Sequence, residues 1–301
     1  MAKKSERPRP RGDAIFVFCN NIIIVLAVFL TLYPLIYVLS ASISDPNLVN
    51  SGQMWLFPRG VTFEGYSRVF RNSDIWIGYR NTIFYTAAGT LISLVVTVPC
   101  AYALAVDRLP GKKFISGLFL FTMFFGGGLI PLYLLVRDMG LLNTVWAVLL
   151  PSAGSIWNII ITRTFFRTTI PRELEEAAEI DGCSTLKKFF RIILPLSTPI
   201  IAVMALFYGV GRWNSYFQEM IFLSDRNLFP LQVFLRELLV VTQMDTSSMS
   251  TSDAVSMAEQ ARIASIIKYA VMIVATLPVI AVYPFLQRYF VKGVMVGSIK
   301  G

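Results

Sequence analysis

Residues 167–199 read RTTIPRELEEAAEIDGCSTLKKFFRIILPLSTP. Ten of these 33 residues carry charge, so the stretch cannot cross a hydrocarbon core, which takes about 20 mostly apolar residues. Pro171 fits the first turn of a helix, where its missing N–H costs nothing. Glu173, Glu175 and Glu176 crowd the positive end of the helix dipole, and Gly182 is a natural stop. The spacing predicts a short acid-started helix over 171–181. A second helix, Thr185 to Ile193, is capped by Ser184 and ended by Pro195. In the first helix Leu174, Ala177, Ala178 and Asp181 share a narrow face, with small residues that let another surface approach closely. A helix lying on a membrane is one reading. Such helices, however, set Lys and Arg opposite bulky apolar residues, and this one is acidic and alanine-rich. A protein partner fits it better.

Outward from this polar stretch the chain turns apolar. Of 301 residues 55% are hydrophobic and only 15% charged, with a mean hydropathy of +0.63. A soluble domain carries roughly 25% charged residues, so much of this surface faces something other than water. Six runs are long and apolar enough to span: about Ile15–Leu39, Thr82–Val106, Phe114–Val136, Thr144–Phe165, Pro199–Leu223 and Ile263–Phe285. The fourth is interrupted by Pro151, Gly154, Ser155 and Asn158. The first run is too long for a signal peptide and no small-residue cleavage site follows it; it reads as a retained helix.

The net charge is +9. With the N-terminus in the cytoplasm, 17 of the 27 Lys and Arg fall in inner segments and 8 in outer loops. Basic excess inside is the usual orientation signal, so both termini are expected in the cytoplasm and nucleic acid need not be invoked. The first outer loop, Ala41–Arg80, has a turn at Phe57-Pro58 and Gly60, then a short helical pattern with Tyr66, Val69 and Phe70 on one side. It suits a helix on the membrane surface or a dock for an external partner. In the last outer loop, about Ser224–Arg262, LFPLQVFLRELLVV is helical in period and residues 242–258 are polar and small.

No His is present, which removes the commonest general base and zinc ligand. Cys19, Cys100 and Cys183 are far apart and fit no metal or redox spacing. No catalytic or metal-ligating residue is assigned, and the chain is not expected to be an enzyme. The run Gly126-Gly127-Gly128 is followed by no Lys, so it is not a phosphate loop; it suits close helix packing or a bend. Near the outer end of the fifth run Trp213, Asn214, Tyr216 and Gln218 combine aromatic faces with polar groups. Apart from Arg163 at the inner end of the fourth run, Arg212 and Lys268 are the only basic residues within spans, and intramembrane charge is a functional candidate by default. These six form a candidate substrate path. Burial near an interface, or pairing of Arg212 or Lys268 with Glu219, is the plainer alternative.

Glu176-Ala177-Ala178, then Gly182, then Ile192-Ile193-Leu194-Pro195 is similar to the EAA-x3-G-x9-I-x-L-P motif of ABC importer membrane subunits. GLIPLYLLVRDMGLLNT, Trp213-Asn214 and the ending QRYFVKGVMVGSIKG extend the likeness over nearly the whole chain. The chain resembles the carbohydrate-uptake branch, the maltose-type smaller permease, and within it permeases for complex or acidic oligosaccharides of the aldouronate or alginate type. The resemblance implies an all-α integral membrane fold of the type I ABC importer permease, in the bacterial cytoplasmic membrane. It divides the chain into a cytoplasmic tail (1–14), six transmembrane helices (15–288, with a coupling segment 163–197) and a cytoplasmic tail (289–301). A second homologous permease makes a heterodimer with it, two ATPase subunits bind ATP and Mg, and an extracellular solute-binding protein delivers an oligosaccharide; the permease itself holds no cofactor. Glu176, Ala177, Ala178, Asp181, Gly182, Leu194 and Pro195 would then form the ATPase contact. A permease for another solute, or an ion-coupled secondary transporter, is the rival reading.

Overall fold

The computed structural model describes residues 11–244, Arg262, residues 267–281 and Pro284. Most of the 242–258 loop, the tails up to residue 10 and from residue 289, and both ends of the sixth apolar run lie outside the described residues. Among those described there is no strand. The helices, in chain order, are α1 (Arg11–Ser42), α2 (Pro46–Asn50), α3 (Glu64–Arg71), α4 (Ser73–Ala105), α5 (Lys112–Phe124), α6 (Leu129–Asp138) and α7 (Val145–Leu149). They continue with α8 (Ile156–Thr169), α9 (Arg172–Ile180), α10 (Thr185–Leu196), α11 (Thr198–Trp213), α12 (Phe217–Phe222), α13 (Leu231–Met244) and α14 (Ile267–Ala281). The chain divides into two compact units, Met1–Arg71 with Leu239–Val274, and Asn72–Leu238 with Ala275–Gly301.

In the first unit, α1 carries the apolar stretch Ile15–Ser42, whose most apolar window has no residue buried within the chain. Its end is different: Ala41, Val49 and Met54 bury together, with Tyr37 and Tyr269 against them. The short helix expected in this loop is present as α3, with Val69 buried and Phe70 exposed.

In the second unit, α4 is the central element and packs along α11 and α8. It begins at Ser73, nine residues before the expected second span, because the Asn72 side chain accepts the Asp74 N–H and opens the helix early. Its inward side is small and polar, with Thr82, Ser93 and Thr97 almost fully buried, while Leu91 and Val95 on the other side are each 64% exposed. Polar groups inward and large apolar groups outward are the arrangement of a helix in lipid, where interhelical hydrogen bonds supply the glue. Thr97 Oγ1 and Tyr208 Oη are 2.6 Å apart, the Ser155 N–H donates to Tyr208 Oη, and the Leu231 N–H donates to Thr82 Oγ1 at 2.8 Å.

Gly78 brings α4 onto α13: a Cβ there would lie 2.8 Å from Leu231 Cα and 2.9 Å from Phe234 Cδ2. The first of these is backbone and cannot swing away. Gly78→Val is therefore expected to cost about 1–3 kcal/mol or more by overpacking, read as a lower unfolding temperature of the detergent-solubilised protein.

Three expected spans are broken. The third is α5 and α6, bent by 113° at residues 125–128, so the glycine run makes a bend. Among the described residues a Cβ at Gly126 or Gly128 would meet nothing within 4 Å, and one at Gly127 would lie 3.8 Å from Pro131 Cβ. The fourth is α7 and α8, separated at the Pro151 and Gly154 interruption. The fifth is α11 and α12, separated at residues 214–216. Of the sixth, α14 is described.

The loops of the second unit sort into two groups. Asn143 Oδ1 accepts the N–H groups of Ser224 and Asp225, Arg226 pairs with Asp74, and Asn81 donates to the carbonyls of Asn227 and Phe229. Asp107 meets Lys112 and Arg172, and Arg108 meets Glu179. In these contacts, each segment meets one that charge counting assigns to the same side.

Candidate functional site: the acidic helix and its seat

The acidic helix α9 forms one residue shorter at each end than expected, with Pro171 at its cap position (φ −62°, ψ 135°) and Glu173 and Glu175 in its first turn. Its end is a Schellman closure: Gly182 has φ +70°, the Cys183 N–H donates to the Ala178 carbonyl at 2.9 Å, and the Gly182 N–H donates to the Glu179 carbonyl at 3.1 Å. A left-handed residue is needed there, which glycine supplies without a Cβ penalty. Ser184 accepts the Lys187 N–H and starts α10.

Pro195 does not end that second helix. α10 runs on to Leu196, because a single π turn at Phe189–Ile193 widens the backbone just before the proline; such a turn relaxes the ladder where a proline removes a donor. The chain then bends by 77° into α11. The π turn also shifts the buried side of α10 to Lys188, Phe189 and Ile193.

Lys188 is the centre of the seat. Its side chain is 5% exposed, and its Nζ lies 2.8 Å from Glu179 Oε1 and 3.7 Å from Glu175 Oε2. Tyr102 Oη, from α4, donates to Glu175 Oε2 at 3.5 Å. The Tyr102 ring rests on Phe189 and Phe166 at 5.3 and 5.7 Å between centroids, inside a core that includes Ile170 and Ile193. The hydrogen bond from Lys188 holds the Glu179 carboxyl below the usual range. Asp107 is lowered first by its hydrogen bond from Lys112, then by Arg172. Arg108 and Arg172 complete the ring of charge around a cleft of about 170 Å³ floored by Ala105, Phe166 and Ile170.

The expected contact face is rearranged by this seating. Ala178 is 6% exposed and turned inward. The outward side carries Glu176, Ala177 and Asp181, with Leu174, Ile180 and Leu186 exposed beside them. Ile180 (87% exposed) and the buried Lys188 escaped the sequence reading. The i,i+4 pair Glu175 and Glu179 was the available signal for a cation behind the helix.

The candidate substrate-path residues have different surroundings. Arg212 is buried, and its guanidinium donates to the carbonyls of Val148 (2.7 Å), Leu149 (3.1 Å) and Ser152 (3.0 Å). Trp213 Nε1 donates to the Ala275 carbonyl, and the Trp213 ring borders an apolar cavity of about 280 Å³ with Ala205, Gly209 and Pro278. Asn214 is exposed and bonded to the Val210 carbonyl, and Tyr216 carries Arg236 over its ring. Gln218 is half-buried. Glu219 is buried and accepts a hydrogen bond from Ser215. Lys268 belongs to the first unit, 5.6 Å over the Tyr269 ring.

Residues 75–296 match the family described as the binding-protein-dependent transport system inner membrane component. The chain belongs to this family. It is an inner-membrane, multi-pass transport component with the fold of that family, and its own role is transport, not catalysis. It is 38% identical to protein LplC of Bacillus subtilis over the whole of both chains. It is 40% identical to the polygalacturonan/rhamnogalacturonan transport system permease protein YtcP of the same organism, over 89% of this chain and 92% of that one. A solved bacterial ABC transporter chain, from a system importing the acidic polysaccharide alginate, superposes with a TM-score of 0.83 at 34% identity, over 95% of this chain and all of that one.

Proposed function

We propose that this transport component is one permease of an ATP-driven importer for oligosaccharides, acidic ones included. The observation that carries the reading is the acidic helix α9, closed at Gly182 and held on a buried Lys188, which offers an outward face and belongs to a family defined by binding-protein-dependent transport. The relatives named for pectic polysaccharide and alginate uptake support the cargo class. In this reading six segments cross the membrane within 15–288, with the broken third, fourth and fifth among them. Residues 1–14 and 289–301 are cytoplasmic tails. The segment 163–197 docks an ATPase subunit through Glu176, Ala177 and Asp181, with Ala178 seating the helix from behind, Gly182 closing it, and Leu194 and Pro195 joining it to the bundle.

ATP and Mg are bound by two such ATPases, a second permease completes a heterodimer, and an external binding protein delivers the sugar. Closure of the ATPases draws the two docked helices together. Because α9 is tied to α4 through Tyr102 and to α10 through Lys188, it moves these helices with it, and the bundle rocks from inward-open to outward-open.

The test is reconstitution of the full complex in proteoliposomes with its binding protein and labelled oligogalacturonate or oligoalginate. Uptake is expected to need internal or external ATP on the ATPase side and to survive collapse of proton and sodium gradients. Uptake that follows an ion gradient without ATP would overturn the reading in favour of a secondary transporter.

A further inference from the structure

α1 is 32 residues long, about 48 Å at 1.5 Å per residue. That is enough for the hydrocarbon core and both headgroup layers, about 40–45 Å, so its end at Ser42 reaches the membrane–water boundary. The chain then folds straight back onto that end. The Thr62 N–H donates to the Ile43 carbonyl and the Asp45 N–H to the Arg59 carbonyl, each at 3.0 Å. The Arg59 N–H donates to Ser44 Oγ at 3.2 Å, and Ser42 Oγ and Tyr66 Oη are 2.8 Å apart. Gly60 has φ +62°, and a Cβ there would lie 2.9 Å from Asp45 Cβ, so the turn admits little else. These bonds fix the 57–63 stretch at the level of the end of α1.

The large side chains of this tied loop point the wrong way for water. Trp55 and Phe57 are each 76% exposed, Phe63 65% and Val61 61%, while Ser42 and Ser44 are buried. Arg59 and Arg71 are exposed among them. Aromatic and basic residues at one depth are the composition of a membrane interface, and an arginine there is drawn to anionic headgroups.

We propose that Trp55, Phe57, Val61 and Phe63, with Arg59, insert into the headgroup layer at the C-terminal end of α1 and bind an anionic phospholipid surface, setting the depth of that helix. The inference rests on α1 being a span. Partial embedding explains why a rigidly bonded loop keeps four apolar side chains exposed, and the fixed register to Ile43 and Asp45 leaves them no route inward.

The test is spin labelling of the full complex in nanodiscs containing phosphatidylglycerol, on a background with Cys19, Cys100 and Cys183 replaced by Ser. Labels are placed at Phe57→Cys, at Ser51→Cys as an aqueous control, and at Phe29→Cys within α1. At position 57 oxygen is expected to relax the label more than a water-soluble nickel chelate does, with the ratio reversed at 51. Adding Arg59→Glu should raise the nickel effect at 57. Nickel access at 57 equal to that at 51 would overturn the proposal, as would a label at 57 that becomes shielded only when the binding protein is added. Nickel access at position 29 would instead overturn the reading of α1 as a span.

Discussion

Ala178→Arg is expected to abolish ATP-driven uptake while the membrane-embedded helices stay folded. Ala178 sits at 6% exposure on the inner side of α9, a helix whose Glu175 and Glu179 are engaged by Lys188 and whose Glu175 also takes Tyr102. An arginine there must push its long stem and charge into a seat that Ala178 fills and whose Glu175 and Glu179 already hold one buried cation, Lys188. An uncompensated buried charge costs about 3–5 kcal/mol. Nine residues of helix cannot stand alone in water, so α9 leaves its seat before the bundle yields. Ala177→Arg, on the outer side, leaves α9 seated and blocks only what docks on it. Both variants should lower uptake roughly 100-fold or more, at about 1.4 kcal/mol per tenfold. They separate under limited proteolysis, where residues 171–184 are cut in Ala178→Arg and protected in Ala177→Arg. Wild-type uptake by either variant would remove α9 as the mechanical link.

Sequence patterning reached the elements whose signal is local. α9, its acidic first turn and its glycine closure follow from short-range chemistry between residues 171 and 183. α1 and α4 follow from uninterrupted apolar runs. The broken helices were harder because averaging hydropathy over twenty residues hides direction: α5 and α6 are each apolar, and the 113° bend between them lies in three glycines that composition registers only as permissive. Lys188 was hidden for a different reason. Regular 3.6-residue spacing pairs it with Ile192, which is half-buried, whereas the π turn before Pro195 pairs it with Ile193 at 0% exposure. A one-residue backbone insertion is invisible to periodicity, yet it decides which side chain lies under α9. Arg212 illustrates the remaining limit. Sequence places a cation within a span and offers both a ligand and a structural partner, and only the fold supplies the three carbonyls that occupy it.

Arg212→Leu is expected to fail by unfolding, with transport lost as a consequence. The guanidinium closes the last turn of α7 by donating to Val148 and Leu149, and reaches Ser152 beyond it. It passes α4 so closely that a Cβ on Gly89 would lie 2.8 Å from its Nε, so α4, α7 and α11 meet at this one side chain. Removing it takes the guanidinium from the Leu149 carbonyl, at about 1–3 kcal/mol for a buried acceptor left unpaired, and leaves the Val148 and Ser152 carbonyls only the long 3.4 Å hydroxyl bonds from Ser152 and Ser93. It also leaves buried Glu219, which acts on Arg212 electrostatically, without its opposite charge. A loss of even about 3 kcal/mol corresponds to a drop of roughly 5–10 °C in unfolding temperature. Arg212→Lys rescues little, since one ammonium cannot span carbonyls that a planar fork reaches together. Gly89→Val should reproduce the defect by pushing the guanidinium out of line. Arg212→Leu combined with Glu219→Gln should recover part of the stability, because the second change removes the stranded charge. If Arg212 contacted the sugar instead, Arg212→Leu would lose uptake at an unchanged unfolding temperature, and Gly89→Val would not copy it.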